Sequence, residues 1–415
     1  MRIITSNPAY VIDSELNIGQ ANWDAPAHLA IGQLSMHQLF KTVALQPGSP
    51  PTTLPRAKQA LAVEQMNFAD PLMPNRQLTG EQLLNRRIFN DGLLVMYRGE
   101  VVHESYRNGM TASDRHVIHS CTKSMCAMLV AIAIDEDKLD PSREISHYVN
   151  ELQQRAEWQG VTLQHVLDMC AGIEYSEHYA DPEADYWRYA RAAGYYPPLP
   201  GEIAIGAKAW VVANLNKRAH SPGTCFLYNS CLTIVIGMAL EAVFQCELAQ
   251  LFESLLYKRI GAESEAWFNT DPQEFPIVEG QLNLCLRDFA RWAALMSNRG
   301  KSISGEQVLP EYFVDQVIAA DPAAQQAYHQ IQPDRVFPNG QYKNQFWVLD
   351  PQGQQFAMLG IHGQFAWYDL SRELMMVGTG SHPQQDSELM MRSLNTLWQG
   401  VAREFPAREN PGPSP

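Results

Sequence analysis

The sequence predicts an α+β fold in which one antiparallel sheet is built from both ends of the chain, with helices inserted between. Three observations carry this. Leu93–Met96 and Val101–Tyr106 are β-rich runs around Arg98-Gly99-Glu100, which reads as a hairpin. From Pro141 to about Arg299 the pattern is helical. Beyond it, short β-rich runs return, separated by Gly, Asp and Pro, and a last helix closes the chain.

Taken in order, residues 1–86 are poor in pattern and read as an arm wrapped on the body, with short helices such as Arg56–Gln65. Residues 87–140 and 300–405 form the sheet subdomain, and 141–299 the helical one. The apolar stretch Met125–Ile134 is a buried helix, because it is apolar all round; Pro141 follows its end. Thr162 reads as an N-cap and Gly172 as a stop. Tyr175–Pro200 reads as a long irregular loop, dense in aromatic residues. Leu232–Phe244 and Asn283–Met296 read as helices. Gln345–Leu349, Phe356–Gly360, Phe365–Tyr368 and Leu374–Gly378 read as strands, and Glu388–Ala402 as the closing helix. The Pro-rich tail, 406–415, reads as disordered.

The 415 residues are 46% hydrophobic and 18% charged, a globular composition. Lys and Arg number 31 against 45 Asp and Glu, a formal charge of −14. That balance argues against nucleic acid and anionic membrane as partners. No signal core follows Met1-Arg2, and no apolar run is of transmembrane length, so a cytoplasmic protein is expected. The 7 cysteines form no C-x-x-C pair and no ligand cluster. They read as reduced, mostly buried thiols, with no metal and no cofactor expected. A homodimer stays open.

The sharpest chemistry lies at His119-Ser120-Cys121-Thr122-Lys123-Ser124. Residues three apart share a helix face, so the Ser120 hydroxyl and the Lys123 ammonium can meet. The helix N-terminus offers free N–H groups and partial positive charge, which suits a nucleophile that must then hold an oxyanion. Burial lowers a lysine's pKa and makes it a plausible base. The bland alternative is an N-cap serine followed by a surface lysine. The buried helix argues against its second half.

Four separated pieces, in order, resemble the serine β-lactamase-like hydrolases: His119–Ser124, Val161–Met169, Pro222-Gly223-Thr224-Cys225-Phe226-Leu227-Tyr228, and Gly360-Ile361-His362-Gly363-Gln364. The resemblance spans about Asp91 to Gly380. It is nearest to class C β-lactamases, family VIII-type esterases and, above all, the 6-aminohexanoate-dimer hydrolases. It implies a β-lactamase/transpeptidase-like fold and an acyl-enzyme mechanism. By it, Ser120 is the nucleophile, Lys123 the base or proton relay, and Tyr228 the residue that passes the proton to the leaving group. Read without the family, Tyr228 is a buried core tyrosine. The resemblance also implies an oxyanion hole made by the N–H groups of Ser120 and Ile361. The aromatic loop, with Tyr179, Tyr186 and Trp187, would wall the substrate pocket or simply pack at the surface. Tyr179 would bond the substrate amide nitrogen. His362 either donates near the site or is a strand histidine bonded to a neighbour.

Two departures bear on substrate. Tyr228-Asn229-Ser230 stands where penicillin-recognising relatives carry Tyr-x-Asn. Met358-Leu359-Gly360, expected on the edge strand, stands where they carry Lys-Thr/Ser-Gly, whose lysine helps hold the β-lactam carboxylate. The expectation is therefore a serine hydrolase of a small amide or ester. The rivals are a β-lactamase or D-alanyl-D-alanine peptidase, and a degenerate scaffold on the same fold.

Overall fold

The predicted hairpin and the C-terminal runs meet in one antiparallel sheet. In the computed structural model, which describes residues 3–4, 17–48, 50–331, 336–352 and 354–407, the strand order is Gln341–Lys343, Phe346–Asp350, Gln355–Gly360, Gln364–Asp369, Leu374–Gly380, Asn90–Tyr97, Glu100–Tyr106. The chain ends join where Met376 pairs with Val95 and Val377 with Leu94. The tail expected to be disordered lies, from residue 408 on, outside the described residues.

Alternation along the strands splits the core in two. Leu94, Met96, Ala366, Tyr368, Met375 and Val377 share one side with the helix Cys121–Asp135, here called the serine helix. Leu93, Val95, Trp367, Leu374 and Met376 share the other with Leu394, Leu397, Trp398 and Val401 of the closing helix, Glu388–Ala402. Covering both faces explains why Leu93-Leu94-Val95-Met96 is apolar without a break. The serine helix is buried from Cys121 to Ala133 and packs against the helix Cys231–Phe244.

A second sheet, which the sequence reading missed, positions the site. Its order is Ile3–Ile4, Thr42–Leu45, Ala266–Asn269, Leu282–Leu284, His116–Val117. Its strands are two to four residues long, too short to show a period, and two of them lie inside the stretch read as helical. His116 pairs with Leu284 and Val117 with Asn283, and the Ile118 N–H donates to the Leu282 carbonyl at 2.9 Å. The residues just before Ser120 are thereby fixed beside those just after Glu279.

Three other readings are corrected. Arg56–Gln65 is not a helix; only Val63–Gln65 forms a 3-10 turn. Its backbone serves the hairpin instead, with the Ala57 and Leu61 N–H groups donating to the Val101 and Val102 carbonyls. The helix expected at Asn283–Met296 starts at Leu286, because Leu282–Leu284 is committed to the small sheet. The loop Tyr175–Pro200 contains a helix, Asp185–Ala192, whose Tyr186, Tyr189 and Ala190 are buried at helical spacing.

The strand Gln355–Gly360 is not an edge strand, since Phe346–Asp350 and Gln364–Asp369 flank it. Its last three residues, Met358–Gly360, nevertheless pair only with Phe365, Gln364 and Ala366 on one side. At that opening Gly360 comes up against Ile118 and His119, just before the start of the serine helix.

Candidate active site

Ser120 is the N-cap of the serine helix, yet its side chain makes no capping hydrogen bond. The hydroxyl is left for another partner. Lys123, one turn on, donates from Nζ to Ser120 Oγ at 2.7 Å and to the Glu279 carbonyl at 2.5 Å. Its side chain is only 1% exposed. Burial pushes its pKa down, while the Glu177 and Glu279 carboxylates push it back up.

His119 enters the turn at φ +44°. For a residue with a Cβ this costs on the order of 1 kcal/mol, which the surrounding packing must sustain. Gly360 allows the close approach that follows. A Cβ there would lie 2.7 Å from the Ile118 carbonyl oxygen and 3.1 Å from His119 Cβ. The end of the sheet strand therefore abuts the serine turn, and Ile361 follows directly. Among the described residues, neither the Ser120 nor the Ile361 N–H is engaged in a turn or loop hydrogen bond.

Tyr228 stands across from the serine helix. Its ring centroid is 5.2 Å from Lys123 Nζ and its ring stacks on Trp347 at 5.6 Å. Burial, reinforced by Glu177, holds the phenol well above its usual pKa, so it keeps its proton. Ser120 is among the groups that act on its hydroxyl, pulling its pKa down. Ser230, the third residue of Tyr228-Asn229-Ser230, is tied to Glu177. Its N–H donates to Oε2 at 2.8 Å and its hydroxyl to Oε1 at 2.6 Å. Tyr179 donates to the same Oε1 at 2.7 Å.

The structure brings Tyr186, Trp187, Ile361 and His362 together on one small void of about 10 Å³, which Trp23 and Asp24 also line; Ser120, Lys123 and Tyr228 do not line it. Tyr179 lies behind it, edge-on to Tyr186 at 4.8 Å. His362 is not on a strand. It sits at φ +63° in the turn after Gly360, where its Nδ1 donates to the His382 carbonyl at 2.7 Å. Burial pushes its pKa down to about 4, so the ring is neutral near pH 7. Its ring is 5.5 Å from that of His119. A larger surface recess, lined by Lys208, Glu241 and Glu274 among others, brings no serine and lysine together.

Among the described residues no cluster of His, Cys, Asp or Glu has metal-binding geometry. All seven cysteines are free thiols, six of them buried. No single described helix is long and apolar enough to cross a membrane; a pair that passes by composition is bent by 79°.

A family model described as Beta-lactamase matches residues 75–390. The chain belongs to the beta-lactamase family. It is 29% identical over 298 residues to a 6-aminohexanoate-dimer hydrolase of Paenarthrobacter ureafaciens, covering 72% of this chain and 74% of that protein. Among solved structures, a Bacillus anthracis protein provisionally named as a 6-aminohexanoate-dimer hydrolase superposes with a TM-score of 0.84. It is 21% identical, over 94% of this chain and 98% of that one. A family VIII carboxylesterase superposes with a TM-score of 0.56 at 14% identity, over 77% of this chain and 95% of its own. The fold is thus β-lactamase/transpeptidase-like.

Within this beta-lactamase-family frame, sequence reasoning missed several residues beside the serine. Glu177 stands two residues before Tyr179, and its only signal was that proximity. Glu279 had none: a lone glutamate in a loop reads as surface, whereas here it is 3% exposed. Trp23 and Asp24 reach the cavity from a segment whose pattern carries no hint of it.

Proposed function

We propose that this protein is a serine hydrolase that cleaves a small amide or carboxylic ester through an acyl-enzyme on Ser120. The observation that carries the reading is the buried Lys123 Nζ at 2.7 Å from Ser120 Oγ. Removing a proton from a serine hydroxyl needs a base within hydrogen-bond reach, and a desolvated lysine supplies one. Ser120 Oγ attacks the carbonyl carbon while its proton passes to the Lys123–Tyr228 pair. The Ser120 and Ile361 N–H groups stabilise the tetrahedral oxyanion. As the intermediate collapses, the carbon–nitrogen or carbon–oxygen bond breaks and Tyr228 protonates the leaving group. Water then attacks the acyl ester, with the same pair taking its proton, and releases the acid. Because Lys123 Nζ lies 5.2 Å from the centre of the Tyr228 ring, the two serve one proton transfer.

The site favours a substrate without a carboxylate, since the position of the family lysine is held by Met358, which is fully buried. The related hydrolase named for 6-aminohexanoate dimer makes a linear amide of an amino acid the first amide to assay. Turnover of p-nitrophenyl butyrate and of such an amide, blocked by prior treatment with a fluorophosphonate, tests the reading. No turnover across short esters and linear amides would contradict it.

A further inference from the structure

Beside the Ser120–Lys123 pair lies a carboxylate that the proposed reaction does not use. Glu279 is in the turn before the strand Leu282–Leu284. Its main-chain carbonyl accepts from Lys123 Nζ. Its side-chain Oε1 accepts from the Tyr189 hydroxyl at 2.6 Å and also from that of Tyr195. Its Oε2 is buried without any partner.

A buried carboxylate with one bare oxygen is unfavourable unless something nearby compensates it. The cation acting on it is Lys123. One residue thus holds the Lys123 nitrogen through its backbone, while its side chain carries a buried carboxylate that acts on the same amine. The two tyrosines come from the end of the aromatic helix Asp185–Ala192 and the turn after it. Burial pushes the Glu279 carboxyl up in pKa, and the two tyrosine donors, together with Lys123, pull it back towards the ionised form and orient it.

Resting on the serine-hydrolase reading above, we propose that Glu279 is a positioning residue for Lys123, aiming Nζ at Ser120 through its carbonyl and biasing the charge of the amine through its carboxylate. Ser120, Cys121, Glu177, Cys231 and Tyr228 also face Lys123, as does His119 from the turn. Glu279 further acts on Cys126, Cys231, Tyr186 and Tyr228. Of these groups only Glu177 is a second carboxylate, and it is held by Ser230 and Tyr179.

The test is the pH dependence of the rate at which a fluorophosphonate labels Ser120, in the full-length protein and in Glu279→Gln. Glutamine keeps the shape and one acceptor for the tyrosines but removes the charge. A carboxylate near an ammonium favours its protonated form, so the acidic limb should move to lower pH by about one unit or more. If Glu279→Gln does not fold, Tyr189→Phe and Tyr195→Phe each remove one donor that favours the ionised carboxylate. They should move the limb the same way by less. A folded variant whose labelling limb stays at the wild-type pH overturns the proposal for Glu279 and leaves the serine reading standing. Loss of the limb itself from the wild-type protein would instead overturn both.

Discussion

Lys123 Nζ lies between Ser120 Oγ, at 2.7 Å, and the carbonyl oxygen of Glu279, at 2.5 Å. The first contact comes from helix geometry, since the residues are three apart on one helix. The second comes from the small sheet, which aligns the approaches to Ser120 and Glu279. A lysine held on both sides has little freedom to leave the serine.

Lys123→Ala and Tyr228→Phe should each lower kcat by roughly 10²–10⁴-fold, the usual worth of general acid–base help. The double variant should lose far less than the product of the two, because both residues serve one proton transfer. Fully multiplicative losses in steady-state assays would separate their roles.

Tyr179→Phe should slow amide cleavage more than ester cleavage. In the structure its hydroxyl donates to Glu177, which leaves its oxygen free to accept from a substrate N–H, and an ester has none. Matched amide and ester substrates measure this. Equal losses would make Tyr179 a packing residue that anchors Glu177.

His362 should make the fold acid-sensitive. Its folded pKa, about 4, lies below its ordinary 6.5. The unfolded chain therefore binds more protons across that window, and stability falls as pH drops from about 6.5 towards 4. His362→Asn tolerates the left-handed turn and can still donate to the His382 carbonyl. Thermal melts of the variant should fall less steeply over this range, though buried His119, also held neutral, keeps part of the slope. Identical slopes would assign the acid sensitivity elsewhere.

A β-lactam brings a carboxylate to a site where Met358 replaces the family lysine. A charged hydrogen bond of that kind is worth about 1.5–3 kcal/mol. Chromogenic cephalosporin should therefore turn over with a kcat/KM at least about ten- to a hundredfold below that for p-nitrophenyl butyrate. Equal rates would mean that another cation holds the carboxylate.

Much of this was legible in the sequence because it is local. Ser120 and Lys123 share a helix turn, and the closing helix at Glu388–Ala402 is where its apolar spacing places it. Tyr228 was legible only through family resemblance, because a tyrosine amid apolar residues looks like core. Glu279 and Glu177 were hidden, since burial of a lone carboxylate is decided by long-range packing. The small sheet escaped because strands of two to four residues carry no period. The helix at Asp185–Ala192 was read as loop because its buried face is built from tyrosines.

The central claim is that Ser120 carries the acyl group. Intact-protein and peptide mass spectrometry after brief exposure to a fluorophosphonate should place one adduct on Ser120. Ser120→Ala should show none and should lose ester hydrolysis, while melting within a few degrees of the wild type, since a cap hydroxyl is worth about 1 kcal/mol. An adduct elsewhere, or undiminished turnover by a folded Ser120→Ala variant, would contradict the account.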